Sequence, residues 1–254
     1  MLHLDQYGDG PELVLLHGWG MHGGLLRMFA EQLGVYFHVS VIDLPGHGNS
    51  AWQASTSLDE WAQQVLECAP ASAYWMGWSL GGLIGLQAAQ QDPTRIRGLM
   101  LMASTPKFVS AADWPDAVDA QVFEEFSRHL ESDAEKTLAR FIALQVRGAK
   151  GSGNLLRQLR SDLKTRPPAE AEALRVGLKL LQDSDLRKQL REITAPKFGV
   201  FGERDTLAPA SVAKLFDDAN CVVLDGAGHA PFMSHPEICV ELAQRWFSFN
   251  EGVC

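Results

Sequence analysis

A serine set between glycines, Gly77-Trp78-Ser79-Leu80-Gly81, is the group in this sequence most directly tied to chemistry. The pattern G-x-S-x-G marks a strand-to-helix turn so tight that side chains beside the serine would collide with neighbouring backbone, and it leaves the hydroxyl free at the apex. An apolar run at 73–78 precedes the serine and a helical pattern at 80–91 follows it, which is the setting the motif requires. A serine hydroxyl is a poor nucleophile at neutral pH, so a base must take its proton and an acid must hold that base in the right tautomer. His229, in Asp225-Gly-Ala-Gly-His-Ala-Pro231, follows the last apolar run in a glycine-rich loop and is the candidate base. Among the other histidines, His235 precedes a proline at a helix start, His129 falls in a helical stretch, and His47 belongs to the loop Pro45-Gly-His-Gly48. Asp205, in Phe201-Gly-Glu-Arg-Asp205, fits the order serine, acid, histidine that accompanies this motif; Glu203 competes with it two residues earlier. Asp43 also ends an apolar run, but it precedes the serine and reads as part of a structural turn.

Acyl transfer through a tetrahedral intermediate needs amide donors for the oxyanion, each worth about 3 kcal/mol. The Leu80 amide, next to the nucleophile, is one candidate. The second is the Trp19 amide, in the turn His17-Gly-Trp-Gly20 after an early apolar run. There is no H-E-x-x-H, no G-x-G-x-x-G after a strand and no G-x-x-x-x-G-K-[ST], so neither metal nor cofactor is expected. The four cysteines, Cys68, Cys221, Cys239 and Cys254, form no C-x-x-C pair and read as incidental thiols.

These residues need a scaffold, and its outline is legible. Short apolar runs at 12–17, 37–43, 73–78, 96–103, 196–201 and 221–224 read as buried strands. Helical patterns at 25–33, 58–68, 80–91, 210–216 and 236–249 alternate with them, which predicts βαβ units and a mostly parallel sheet. From 106 to 193 the strand signal disappears and helical stretches at 118–130, 134–146, 155–164 and 169–181 follow one another. The chain therefore divides into an α/β core, 1–105 and 194–254, and a helical insertion, 106–193, placed to cover the carboxyl ends of the strands as a lid. With 254 residues, 46% apolar and 21% charged, the composition is that of an ordinary globular protein. No basic segment leads into an apolar one at the amino terminus and no stretch approaches a membrane span, so a cytoplasmic location is expected.

Charge is unevenly spread. Between Lys136 and Arg166 stand eight basic residues and one acid, Asp162, a balance of +7 in a chain of net −9, which leaves −16 for the remainder. The overall sign argues against nucleic acid, while a basic lid on an acidic body suits an acidic protein partner. The motifs His17-Gly-Trp-Gly20, Asp43-Leu-Pro-Gly46, Gly77-Trp-Ser-Leu-Gly-Gly82, Arg140-Phe-Ile-Ala-Leu-Gln145 and Gly228-His-Ala-Pro-Phe232 together resemble the pimeloyl-[acyl-carrier protein] methyl ester esterases of biotin synthesis, members of the α/β-hydrolase superfamily. The resemblance runs over nearly the whole chain. It implies an α/β-hydrolase fold, a mostly parallel sheet flanked by helices, with the helical lid inserted after the sixth core strand. It implies, too, release of methanol from pimeloyl methyl ester carried on acyl carrier protein, with Trp19 and Phe141, Ile142, Ala143, Leu144 and Gln145 lining the acyl site. Lys136, Arg140, Arg157 and Arg160 are the candidate carrier-protein contacts, and a monomer is expected. Rival readings are another hydrolase of the same fold, such as a small-ester esterase, and a non-catalytic ligand receptor using the same pocket. Ser79 at the nucleophile position disfavours an aspartate-nucleophile dehalogenase or epoxide hydrolase.

Overall fold

The computed structural model describes residues 1–248. Seven strands form one sheet: β1 (Leu4–Tyr7), β2 (Glu12–Leu16), β3 (His38–Ile42), β4 (Ala73–Trp78), β5 (Ile96–Met102), β6 (Lys197–Gly202) and β7 (Cys221–Leu224). Their spatial order is β1-β3-β2-β4-β5-β6-β7, with only β1 antiparallel to its neighbour. All six residues of β4 are buried, as a central parallel strand covered by helices on both faces must be.

The core helices are α1 (Arg27–Leu33), α2 (Leu58–Cys68) and α3 (Leu80–Gln91), and five more, α4 (Ala120–Ser132), α5 (Ala134–Gln145), α6 (Ser152–Asp162), α7 (Ala171–Asp183) and α8 (Arg187–Glu192), lie between β5 and β6. A single turn, α9 (Pro231–Ser234), and α10 (Pro236–Ser248) complete the described residues. The α2 start is set by a capping box in which Ser57 and Glu60 each satisfy the other's amide. Asp119 and Asp133 cap α4 and α5 by accepting the Gln121 and Lys136 amides. In α3, ten consecutive residues from Leu80 to Ala89 are buried, because this helix is enclosed by the sheet, α2 and α8.

Several expectations shift. Five of the described strands precede the helical insertion, not six. The edge strand β1 gave no readable signal: its four residues are mostly half-buried and contribute little apolar surface. Residues 210–215 wind as a 3-10 helix after Pro209 and not as an α-helix. Phe249, expected within the last helix, and Cys254 lie outside the described residues. The other cysteines are free thiols, and burial pushes Cys221 up to about 11 and Cys239 up to about 12, consistent with inert side chains.

Candidate active site

The sheet changes direction between β2 and β4: β3 follows β2 in the chain but lies on its far side, so the loops leaving β2 and β4 diverge and open a crevice at their carboxyl ends. Leu16 pairs with Gly77, which sets the His17–Gly20 turn directly beside Ser79. Contact there is intimate, for a Cβ on Gly18 would come 3.1 Å from the Ser79 Cβ.

Ser79 has φ 55° and ψ −120°, a conformation that ordinary residues avoid. Its neighbours make the turn possible. A Cβ at Gly77 would lie 2.4 Å from the Gly81 carbonyl oxygen, one at Gly81 would lie 2.6 Å from that of Leu16, and one at Gly82 would lie 2.3 Å from Ser104 Oγ. The elbow is held from below by the Ser79 amide, which donates to the Met102 carbonyl at 3.1 Å, and by Ser104 Oγ, which donates to the Ser79 carbonyl at 2.6 Å.

β6 and β7 deliver the other two groups. His229 Nε2 lies 2.9 Å from Ser79 Oγ, and Nδ1 lies 2.8 Å from Asp205 Oδ2. The second carboxylate oxygen of Asp205 accepts the Leu207 and Ala208 amides at 2.8 and 3.0 Å, so the acid is fixed at both ends. All three side chains are buried. Glu203, the competing acid, is exposed; it accepts the Gly226 amide at 3.1 Å and pairs with Arg204. The Trp78 indole, unremarked in the sequence, donates to the His229 carbonyl at 2.6 Å and fastens the histidine loop to β4.

Among the described residues, neither the Trp19 nor the Leu80 amide donates to a loop carbonyl, and Leu80, as the first residue of α3, has no partner within its helix. Both are thus available donors beside Ser79. The Trp19 side chain, expected to line the acyl site, stands behind Phe141: fully buried, it donates to the Leu174 carbonyl at 2.7 Å and meets Phe141 edge-on, ring centres 4.8 Å apart.

A narrow cavity rises from Ser79 beneath the helical segment. Phe108 and Val118 line it from the linker, Val122, Phe123 and Phe126 from α4, Phe141 from α5, Leu178 and Leu181 from α7, and Leu207 from the core. Apart from Ser79 every one of these side chains is apolar. Of residues 141–145 only Phe141 belongs to this lining. Five consecutive helical residues point in different directions, 100° apart, so one face cannot use them all. Gln145 is buried and turns its amide back to the Phe141 carbonyl at 3.0 Å, while Ile142, Ala143 and Leu144 are half-buried. The α4 and α7 lining residues escaped sequence reading because an apolar helix face over a pocket has the same 3.6-residue period as one over a core.

The charged residues fare differently from one another. Lys136, Arg140, Arg157 and Arg160 are exposed on α5 and α6. Arg166, counted among the basic residues of this segment, is instead enclosed, donating to Asp43 Oδ2 at 2.6 Å and to Asp5. Asp43 also accepts the Gly23 and Asn49 amides, at 2.6 and 2.8 Å, and its carboxyl is held below the usual range: burial opposes this but is outweighed by groups that include the two amides and the Arg166 guanidinium.

Sheet order, nucleophile elbow and the Ser79-His229-Asp205 relay define an α/β hydrolase, and the chain belongs to the alpha/beta hydrolase fold family, whose model matches residues 11–236. Similar proteins of nearly equal length narrow this further. A pimeloyl-[acyl-carrier protein] methyl ester esterase of Xanthomonas oryzae pv. oryzae is 40% identical over 96% of this chain and 98% of its own. One of Methylococcus capsulatus is 41% identical over 97% and 98% respectively. Among solved structures, an esterase from Exiguobacterium antarcticum superposes with a TM-score of 0.86 at 18% identity, covering 97% of this chain and 95% of the other; this likeness speaks for the fold.

Proposed function

We propose that this chain is a serine carboxylesterase that removes the methyl group from pimeloyl methyl ester carried on acyl carrier protein, in biotin synthesis in the cytoplasm. The observation that carries the reading is the Ser79-His229-Asp205 relay at the floor of an apolar cavity. The relatives named above carry that substrate in their names.

Ser79 Oγ attacks the ester carbonyl carbon while its proton passes to His229 Nε2. Asp205 keeps the Nδ1–H tautomer and stabilises the imidazolium that forms. The Trp19 and Leu80 amides take the oxyanion. Methanol leaves with the proton from His229, and a water deprotonated by the same nitrogen then attacks the acyl-enzyme carbonyl, freeing the carboxylic acid and restoring Ser79. Binding follows from the lining. Each methylene taken from water into such a cavity contributes about 0.8 kcal/mol, whereas a carboxylate would be desolvated there without a cation. The neutral ester is therefore held and the ionised product is disfavoured. The exposed basic residues of α5 and α6, Lys136, Arg140, Arg157 and Arg160, supply the docking face for the acidic carrier, and the helices from α4 to α7 act as the lid.

The test is incubation with pimeloyl methyl ester on acyl carrier protein, followed by mass analysis of the carrier. The expected product is lighter by one methylene, and methanol accumulates with it. Ser79→Ala should abolish this conversion by several orders of magnitude, since the members of the relay act as one unit, with circular dichroism unchanged. An unaltered carrier mass with the native chain, or full turnover by a folded Ser79→Ala, overturns the reading.

A further inference from the structure

His17 and His47 are completely buried behind the loop that carries Trp19, and the reaction as described uses neither. His17 Nδ1 lies 2.8 Å from the Gly18 carbonyl oxygen, and the Leu44 amide donates to His17 Nε2 at 2.9 Å. A carbonyl only accepts and an amide only donates, so these partners fix the neutral tautomer with the proton on Nδ1. His47 repeats the pattern: its Nδ1 lies 2.9 Å from the Pro45 carbonyl oxygen, and its Nε2 accepts the Gly20 amide at 3.3 Å. The two rings stand 5.4 Å apart.

The Gly18 carbonyl belongs to the same peptide unit as the Trp19 N–H. No peptide among the described residues is cis, so that carbonyl and that N–H point to opposite sides of one plane. Holding one edge orients the other. The Met21 amide adds a second bond to the Gly18 carbonyl at 3.2 Å, and Gly18 itself lies against Ser79.

We propose that His17 is a positioning residue for oxyanion stabilisation: its Nδ1–H bond to the Gly18 carbonyl aims the Trp19 N–H at the developing oxyanion, while His47 anchors the far end of the loop at Gly20. The inference rests on the esterase reading above. A donor already in place when charge develops costs no reorganisation, which is why such donors count for so much in a transition state. The bond accepted by the carbonyl also polarises the shared peptide and makes its N–H a better donor. Only a neutral His17 can serve, because an imidazolium would turn a proton against the Leu44 amide. Burial, reinforced by the neighbouring His47, brings His17 down to about 3 and so keeps it neutral at working pH.

The experiment uses the full chain with His17→Leu and His17→Asn, assayed on p-nitrophenyl butyrate and on binding of an alkyl trifluoromethyl ketone. That ketone takes Ser79 Oγ at its carbonyl carbon, the serine proton passes to His229, and its oxygen becomes an oxyanion, so its affinity reports the donors directly. In His17→Leu, kcat should fall about 10- to 100-fold with KM nearly unchanged, less than the roughly 100- to 1000-fold cost of deleting an oxyanion donor, because the Trp19 amide is misaimed and not removed. Ketone affinity should fall by the same factor as kcat/KM, and binding of the alcohol of equal chain length should not change. His17→Asn, which keeps an N–H donor, should recover part of the loss. A loss confined to KM, or ketone affinity that does not follow kcat/KM, overturns the proposal. If His17→Leu does not fold, the native chain decides: nitrogen-15 spectra should show His17 protonated on Nδ1 and the Trp19 amide proton moving downfield in the ketone adduct, and an Nε2–H tautomer or an unmoved Trp19 amide would refute it. Activity in Ser79→Ala would remove the esterase reading itself, whereas an inactive Ser79→Ala beside a fully active His17→Leu removes only the positioning role.

Discussion

Asp205 and Glu203 stand two residues apart after the same strand, yet only Asp205 reaches the imidazole. Its other oxygen is committed to two backbone amides, whereas Glu203 faces solvent beside Arg204. Asp205→Asn should therefore cut kcat by about 10⁴-fold through the wrong histidine tautomer, and Glu203→Gln should leave it within a few-fold, as steady-state assays of the two folded variants would show. Equal losses would reject the assignment. Residue types and chain order single out Ser79, His229 and the two candidate acids, and the structure brings His229 within hydrogen-bond distance of both Ser79 and Asp205. They did not choose between the acids, because a difference of two residues in a loop is settled by hydrogen bonds that the sequence does not display. The buried histidines carry a second prediction. Burial lowers His17 to about 3 and His47 to about 4, with each histidine's partner carbonyl and Asp43 opposing the shift. The unfolded chain binds these protons near the ordinary histidine value of about 6.5, so between that pH and the folded values the unfolded state holds more protons. Stability is fully present above about pH 6.5 and is lost as pH falls toward 4 and 3, at up to about 1.4 kcal/mol per pH unit for each histidine. Urea midpoints measured from pH 7 to pH 4.5 should decline accordingly, and a flat profile would contradict it.

At the scale of elements, the helical insertion is tied to the core by Arg166, which follows α6 and reaches back to Asp43 after β3 and to Asp5 in β1. Asp43 is wholly buried, so Arg166→Met would leave its carboxylate with two amides and no cation. Losing one member of such a pair costs about 3 kcal/mol. The expected result is a clear drop in the urea midpoint, and a change within error would mean that the amides alone satisfy Asp43. The sequence counted Arg166 as one more surface charge and Asp43 as a turn residue. Neither reading could foresee a contact between positions 123 residues apart. Elements with strong local signals were legible: the helical pattern at 58–68, and the unbroken apolar strand before Ser79. The edge strand β1 and the short helices α8 and α9 were not, since each is too brief to show a period and owes its form to what it packs against.

For the whole molecule, the informative property is charge set against shape. Setting aside Arg166, the basic residues between 136 and 164 are exposed, on a body that carries the negative excess. Attraction of an acidic carrier to such a surface acts mainly before contact and is screened over about 8 Å at physiological salt. Arg157→Glu should therefore lower kcat/KM for the carrier-bound ester several-fold while sparing p-nitrophenyl butyrate, and added salt should narrow the gap between the two chains. Arg157, whose hydrogen bond is to the neighbouring Asn154, is a cleaner probe than Arg140, which adjoins the cavity residue Phe141. Identical effects on both substrates, or none, would make the basic surface a solvated helix face. The way the insertion joins the sheet carries a different consequence. β5 and β6 are hydrogen-bonded neighbours, Leu99 beside Lys197 and Met102 beside Val200, and α8 alone, packed on α3, occupies the place of an ordinary crossover helix between them. The residues from 106 to 186 are thus an excursion that lies outside the strand pairing of the sheet. Substitutions at its cavity-lining positions on α4 and α7 can redraw the cavity and leave the Ser79, His229 and Asp205 hydrogen bonds untouched, provided that Arg166 and Leu174 keep their contacts with the core. In such a scaffold, reaction and appetite are inherited on separate stretches of chain and can diverge at separate rates.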